Sequence, residues 1–204
     1  MSDIVNMVAS TQLTESIDLY DVSANMGITY EAEQFPGMVY RVANPKVCIL
    51  LFRSGKAVVT GAKSEEDIAA GLKVLHDDLT NNGYEMWPFD TDSISVENIV
   101  VTYEYGNDLD LSHLIFSMPF DKTEYEPEVF PGLIYRIDEP KSVCLVFSSG
   151  KCVITGCKSE EEAESATEQL IEQLDVEMPT TANLLLAHGH QKPQILVTIS
   201  SKAQ

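Results

Sequence analysis

The sequence predicts an α+β fold built from two tandem copies of one unit, each an antiparallel sheet with helices on one face. Three observations predict it. Residues 35–63, FPGMVYRVANPKVCILLFRSGKAVVTGAK, recur as residues 130–158, FPGLIYRIDEPKSVCLVFSSGKCVITGCK, at a constant offset of 95, the mark of an internal duplication. Within each copy, short β-branched runs are separated by X-Pro and Ser-Gly turns, the punctuation of hairpins. Each copy then passes into a Ser-Glu-Glu opening followed by apolar residues three and four apart, a helix with its start signal.

In chain order, residues 3–10 alternate as a strand and match residues 95–102 at an offset of 92, with Asn6 above Asn98. The second copy therefore carries three extra residues between Asn98 and Phe130. Residues 17–26 have weak helical spacing. Residues 37–42 form a short strand that ends at Asn44–Pro45, and 47–52 form a strongly apolar strand. Ser54–Gly55 turns the chain into a hairpin partner at 56–60. Ser64 with Asp67, and Ser159 with Glu162, open the long helices in the Ser-x-x-acid manner. Their inward rows are Ile68, Leu72, Leu75 and Leu79, and Ala163, Ala166, Leu170, Ile171 and Leu174. The units span 1–83 and 91–175. The tail 176–204 has no counterpart, and its segment 194–200, QILVTIS, reads as an added strand or a docking segment. Helices cover one sheet face in each unit. The other face is open, and function is expected there.

Composition narrows the classes. Hydrophobic residues make up 44% of the 204, enough for a core. No apolar run approaches membrane-spanning length and no charged-then-apolar leader opens the chain, so a cytoplasmic protein without membrane contact is expected. Cys48, Cys144, Cys152 and Cys157 have no CxxC spacing and lie in strand-like runs, which predicts buried, reduced thiols. His188 and His190 read as an exposed loop. There is no nucleophile–base arrangement, phosphate loop or metal cluster. SGK and TGAK lack the spacing of a phosphate-binding loop. Neither an enzyme nor a cofactor is expected.

The net charge of −19 taken alone argues against nucleic acid, but its distribution does not. Of 13 Lys and Arg, nine fall in the repeated segments, and eight of these form the pairs Arg41/Arg136, Lys46/Lys141, Lys56/Lys151 and Lys63/Lys158. Acids gather instead in 159–175. The alternative for the cations is a role as edge-strand charges that discourage further pairing. Alternation puts Lys56, Val58 and Thr60 on one face, with Asn6, Val8 and Ser10 on one face of the first strand. The repeat gives Lys151, Val153 and Thr155, and Asn98, Val100 and Thr102. Small apolar side chains with a few amide donors suit the minor groove of A·T-rich duplex DNA, whose base edges present only acceptors. DNA is also nearly twofold, like the repeat. Each copy has two turn-borne phenylalanines, Phe35 and Phe52, then Phe130 and Phe147. At such sites they suit wedges that unstack base steps; satellite packing of loop side chains is the bland alternative.

Together FPG-[ML]-[VI]-YR, the Pro-Lys turn, F-x-SGK and TG-x-K, present in both copies, resemble the TATA-binding protein family in its archaeal form, over about 170 of the 204 residues. The resemblance implies a saddle: a curved antiparallel sheet beneath and helices on the convex face. It implies a transcription initiation factor that binds and bends TATA-box DNA, the bending being carried over from a family that is itself the standard example of it. Phe35, Phe52, Phe130 and Phe147 would insert into DNA. Asn6, Val8, Val58, Thr60, Asn98, Val100, Val153 and Thr155 would line the groove. Arg41, Lys46, Lys56, Arg136, Lys141 and Lys151 would hold phosphates. Glu126, Glu128 and Val129, in an acid-Pro-acid-apolar-Phe run, would bind transcription factor B, and through it RNA polymerase. The first copy has Glu31-Ala32-Glu33-Gln34 there, without the proline. Residues 103–118 and the tail depart from the family pattern. They leave open a TATA-binding-protein-like regulator that works through protein partners with weak or no DNA binding.

Overall fold

The structure, a computed structural model, describes residues 2–177. The tail 178–204, with the strand expected at 194–200 and the histidines at 188 and 190, lies outside the described residues. The first half runs β1 (Asp3–Gln12), α1 (Leu19–Met26), β2 (Met38–Val42), β3 (Val47–Leu51), β4 (Lys56–Ala62) and α2 (Glu65–Asn81). A single 3-10 turn, Thr91–Ser93, marks the joint. The second half runs β5 (Ser95–Glu104), α3 (Leu111–Ser117), β6 (Thr123–Glu124), β7 (Leu133–Ile137), β8 (Ser142–Val146), β9 (Lys151–Cys157) and α4 (Glu160–Glu177). The nine strands of the described residues form one antiparallel sheet in the order β2-β3-β4-β1-β5-β9-β8-β7-β6. It is the curved saddle with helices on the convex side that the resemblance implies.

The seam lies between β1 and β5. Asn6 pairs with Val100 and Val8 with Asn98, while Met7 pairs with Ile99 at the centre. Each half also bulges once, between Ile4 and Asn6 and between Val8 and Ala9 in β1's register. The local twist of a bulge is thus applied on both sides of the centre.

The long helices bury the rows that their spacing predicts. Ile68, Leu72, Leu75 and Leu79 are at most 1% exposed, and Ala163, Ala166, Leu170 and Leu174 at most 3%. On the sheet, Met7, Ile49, Leu51 and Val59 in the first half, and Ile99, Val146 and Ile154 in the second, are likewise at most 1% exposed. Ile171, expected in the same row, is only half-buried. The helix starts are capped as expected: the Ser64 hydroxyl accepts from Asp67 N–H at 3.2 Å, and that of Ser159 from Glu162 N–H at 3.1 Å. Glu65, Glu66 and Asp67, and Glu160, Glu161 and Glu162, occupy the first turns, where carboxylates complement the helix dipole.

Two differences from expectation have local causes. α1 starts at Leu19, not residue 17, because the Asp18 carboxylate accepts from the N–H groups of Tyr20 and Asp21 and so caps there. The second half gains β6, which the first half lacks. The hairpin glycines are compulsory. Gly55 and Gly150 have φ of 77° and 78°, and a Cβ would meet a carbonyl oxygen at 2.0 Å from Thr14 or 2.2 Å from Asn107.

Candidate nucleic-acid interface

The face away from the helices presents a continuous apolar surface. On the first half, Val39 lies opposite Leu50, and Leu50 opposite Val58. On the second, Ile134 lies opposite Leu145, and Leu145 opposite Val153. All six are half-buried, whereas their strand neighbours Ile49, Leu51, Cys144 and Val146 are fully buried. Val58, Thr60, Val153 and Thr155 have the orientation that alternation predicts. Leu50 and Leu145 escape a hydropathy reading because β3 and β8 are apolar on both faces. The repeat offset, with Val58 and Val153 as neighbours, is the signal that finds them.

Asn6 and Asn98 flank the seam, and the fold fixes how their amides point. Asn6 Oδ1 accepts from Gly61 N–H at 2.7 Å and from the Thr60 hydroxyl at 3.4 Å. Asn98 Oδ1 accepts from Gly156 N–H at 2.7 Å and the Thr155 hydroxyl at 3.2 Å. The carbonyl ends are therefore occupied by the neighbouring strands, and the two NH₂ groups are left to donate. Val8 and Val100 sit half-buried across the ladder from them. Ser10, expected on the same face, is opposite Val58 but only 6% exposed, because its hydroxyl donates to Glu97 Oε1 at 2.7 Å. Glu97 stands where the first half has Val5, which is 39% exposed.

The four phenylalanines meet in two pairs. Phe35 and Phe52 pack edge to face with centroids 6.1 Å apart, and Phe130 and Phe147 at 5.9 Å. Phe52 and Phe147 each close a tight turn, accepting from the N–H of Gly55 or Gly150 at 2.9 Å. Phe35 N–H donates to Glu31 O at 3.1 Å and Phe130 N–H to Glu126 O at 2.9 Å. Gly37 and Gly132 seat the pairs: a Cβ there would lie 2.8 Å from the Phe35 ring or 2.7 Å from the Phe130 ring. Each pair is a preformed two-ring cluster at one end of the sheet.

Around this surface, Arg41, Lys46, Lys56, Lys141 and Lys151 are exposed. Arg41, Lys46 and Cys48 line a hollow of about 470 Å³ with Thr60. Arg136 differs, since its Nη2 donates to Glu124 Oε2 at 2.6 Å. The partner comes from β6, which has no equivalent in the first half. Of the thiols expected to be buried, Cys144 and Cys152 are, and burial pushes both up to about 12. Cys157 is buried and raised for the same reason, whereas Cys48 is only half-buried and lies on the open side. Glu126 and Glu128 are exposed on the turn before Phe130, and Val129 between them and the ring is 80% exposed. Among the described residues, no group of three or more His, Cys, Asp or Glu could hold a metal ion, and no helix is long and apolar enough to cross a membrane.

Comparison with known proteins agrees with this geometry. A family model described as transcription factor TFIID (or TATA-binding protein, TBP) matches residues 1–81 and 93–176. The chain is 44% identical over 173 residues to the TATA-box-binding protein of Haloarcula marismortui, covering 84% of this chain and 92% of that one. It is 45% identical over 174 residues to TATA-box-binding protein 1 of Haloferax volcanii, covering 84% and 90%. The solved structure of Methanococcus jannaschii TBP superposes with a TM-score of 0.76 at 42% identity, covering 86% of this chain and 98% of that one. Two matched repeats, a nine-stranded saddle and this level of identity over most of the length lead to one conclusion: the chain belongs to the TATA-binding protein family, a family of transcription factors.

Proposed function

We propose that the open face binds A·T-rich, TATA-like duplex DNA in its minor groove, and that the phenylalanine pairs bend it by wedging into base steps at the two ends of the site. The observation that carries this reading is the reciprocal pair of asparagine amides. Their acceptor oxygens are held by Gly61 and Gly156, and they offer only donors to a groove floor that, at A·T pairs, offers only acceptors. The flanking Val8, Val58, Val100 and Val153 with Thr60 and Thr155 give flat contact to sugars and base edges. Arg41, Lys46, Lys56, Lys141 and Lys151 hold phosphates on either side. Arg136 joins them by exchanging Glu124 for a phosphate.

A titration of a TATA-box duplex, read by fluorescence transfer between its ends and repeated across salt concentrations, tests the reading. Six phosphate contacts give a slope of log K against log salt of about −5. A flat response would remove the six cations from the interface. A folded chain that binds under no condition would leave a TATA-binding-protein-like regulator acting on proteins alone.

The acidic turn supports a second contact. Glu126, Glu128 and Val129 present two carboxylates beside an exposed apolar side chain, chemistry that suits a basic surface with an apolar hollow. We assign that surface to transcription factor B, which then brings RNA polymerase. Glu126→Arg with Glu128→Arg is expected to leave binary DNA affinity within about threefold, since exposed charges contribute little unless paired. The ternary complex with factor B should be lost from a mobility-shift gel. A normal ternary shift would exclude this turn.

A further inference from the structure

Two phenylalanines of the second half stand almost fully in solvent. Phe116, on α3, and Phe120, before β6, are each 89% exposed, and Val129 beyond β6 is 80% exposed. At the offset of 92, the first half has Ala24 where the second has Phe116. Between Phe120 and Val129 in the chain runs β6, the last strand of the sheet order, whose outer edge pairs with no strand among the described residues. Phe120 lines a hollow of about 270 Å³ with Lys122, Glu124 and Arg136. Val129 lines one of about 190 Å³ with Glu124, Phe130 and Ile134. Glu124 of β6 belongs to both. Open strand edges and clustered apolar side chains are the two surfaces that soluble chains usually cover. Here Asp121, Glu124, Glu126 and Glu128 make the surroundings acidic.

The chain carries a segment of matching chemistry. Residues 178–204 hold Lys192 and Lys202 and neither Asp nor Glu, within a chain of net charge −19. Between the lysines lies QILVTIS, residues 194–200, rich in the β-branched residues that suit strands. The tether starts in the right place. α4 is described as far as Glu177, and Tyr105 Oη donates to Asp175 Oδ1 at 2.8 Å, which holds this stretch beside the segment leading into α3. The 17 residues from Glu177 to Gln194 reach at most about 56 Å at roughly 3.3 Å each. A half of this size is only about 35 Å across.

We propose that residues 194–200 add in cis as a further strand to the outer edge of β6. Main-chain hydrogen bonds would give the affinity, as in other strand additions, and alternate apolar side chains the specificity. They would cover Phe116, Phe120 and Val129, with Lys192 and Lys202 facing the surrounding carboxylates. If Val129 is also the factor B contact assigned above, tail and factor compete for it; the docking itself does not depend on that assignment.

Hydrogen exchange of the full chain, free of DNA and of factor B, tests the docking. The amides of 195–199 are expected to exchange at least about tenfold more slowly than an open chain. In the double variant Phe116→Ser, Phe120→Ser they should return to the open-chain rate. Both rings are already in solvent, so the variant keeps its fold, which protection of the α2 amides will report. Open-chain exchange in the native protein overturns the proposal, as does protection that survives the double substitution. Protection that rises with protein concentration assigns the segment to the edge of a second copy and overturns docking in cis.

Discussion

The double substitution Asn6→Asp, Asn98→Asp is expected to abolish DNA binding while leaving the fold untouched. Each aspartate retains an oxygen where Oδ1 now accepts from Gly61 or Gly156, so the ties to β4 and β9 survive and the melting temperature should stay close to native. What changes is the end that faces outward: an NH₂ donor becomes a charged acceptor. Against groove acceptors it has no partner, and each site then costs about 2–3 kcal/mol, the upper range for an unsatisfied buried polar group. Two sites amount to about a thousandfold or more in affinity. Anisotropy titrations with a TATA-box duplex read it directly. Binding within threefold of native would show that the amides do not meet the bases.

Phe130→Ala with Phe147→Ala is expected to remove bending at one end of the site. The two rings form a single edge-to-face pair, so removing one alone leaves the other without its support. Stacking of an aromatic ring on a base contributes about 1–3 kcal/mol, which gives about 30-fold weaker binding or more for the pair. Energy transfer between the duplex ends should fall to a value between those of the native complex and of straight DNA. Unchanged transfer would mean that the rings only pack on Gly132 and on each other.

Much of this was legible in the sequence because the chain states its unit twice. The strands, the Ser-capped helices and their inward rows at Ile68 to Leu79 follow from turn residues and period alone. The orientation of Val58 and Thr60, and of Val153 and Thr155, follows from alternation. The saddle itself came from the resemblance. What stayed hidden is of two kinds. Leu50 and Leu145 lie in strands apolar on both faces, so hydropathy assigns them no side. The β6 strand, the Glu124–Arg136 pair and the covering of Ser10 by Glu97 depend on which distant residues the topology brings together, and no local pattern encodes that. Cys48 shows the limit of composition: an apolar run predicts burial, but only register reveals that its thiol faces the open side.

The seam between β1 and β5 has a consequence for how such a chain can change. Its ladder maps onto itself when the halves are exchanged, since Asn6 with Val100 becomes Asn98 with Val8. That is the geometry of an isologous contact between identical subunits, held here within one polypeptide. A dimer of identical subunits must accept each substitution on both sides of its axis. A fused pair accepts it on one. Glu97 without a second glutamate at position 5, and β6 without a mirror image, are changes that only a fused chain can keep, and they give a nearly symmetric saddle a front and a back.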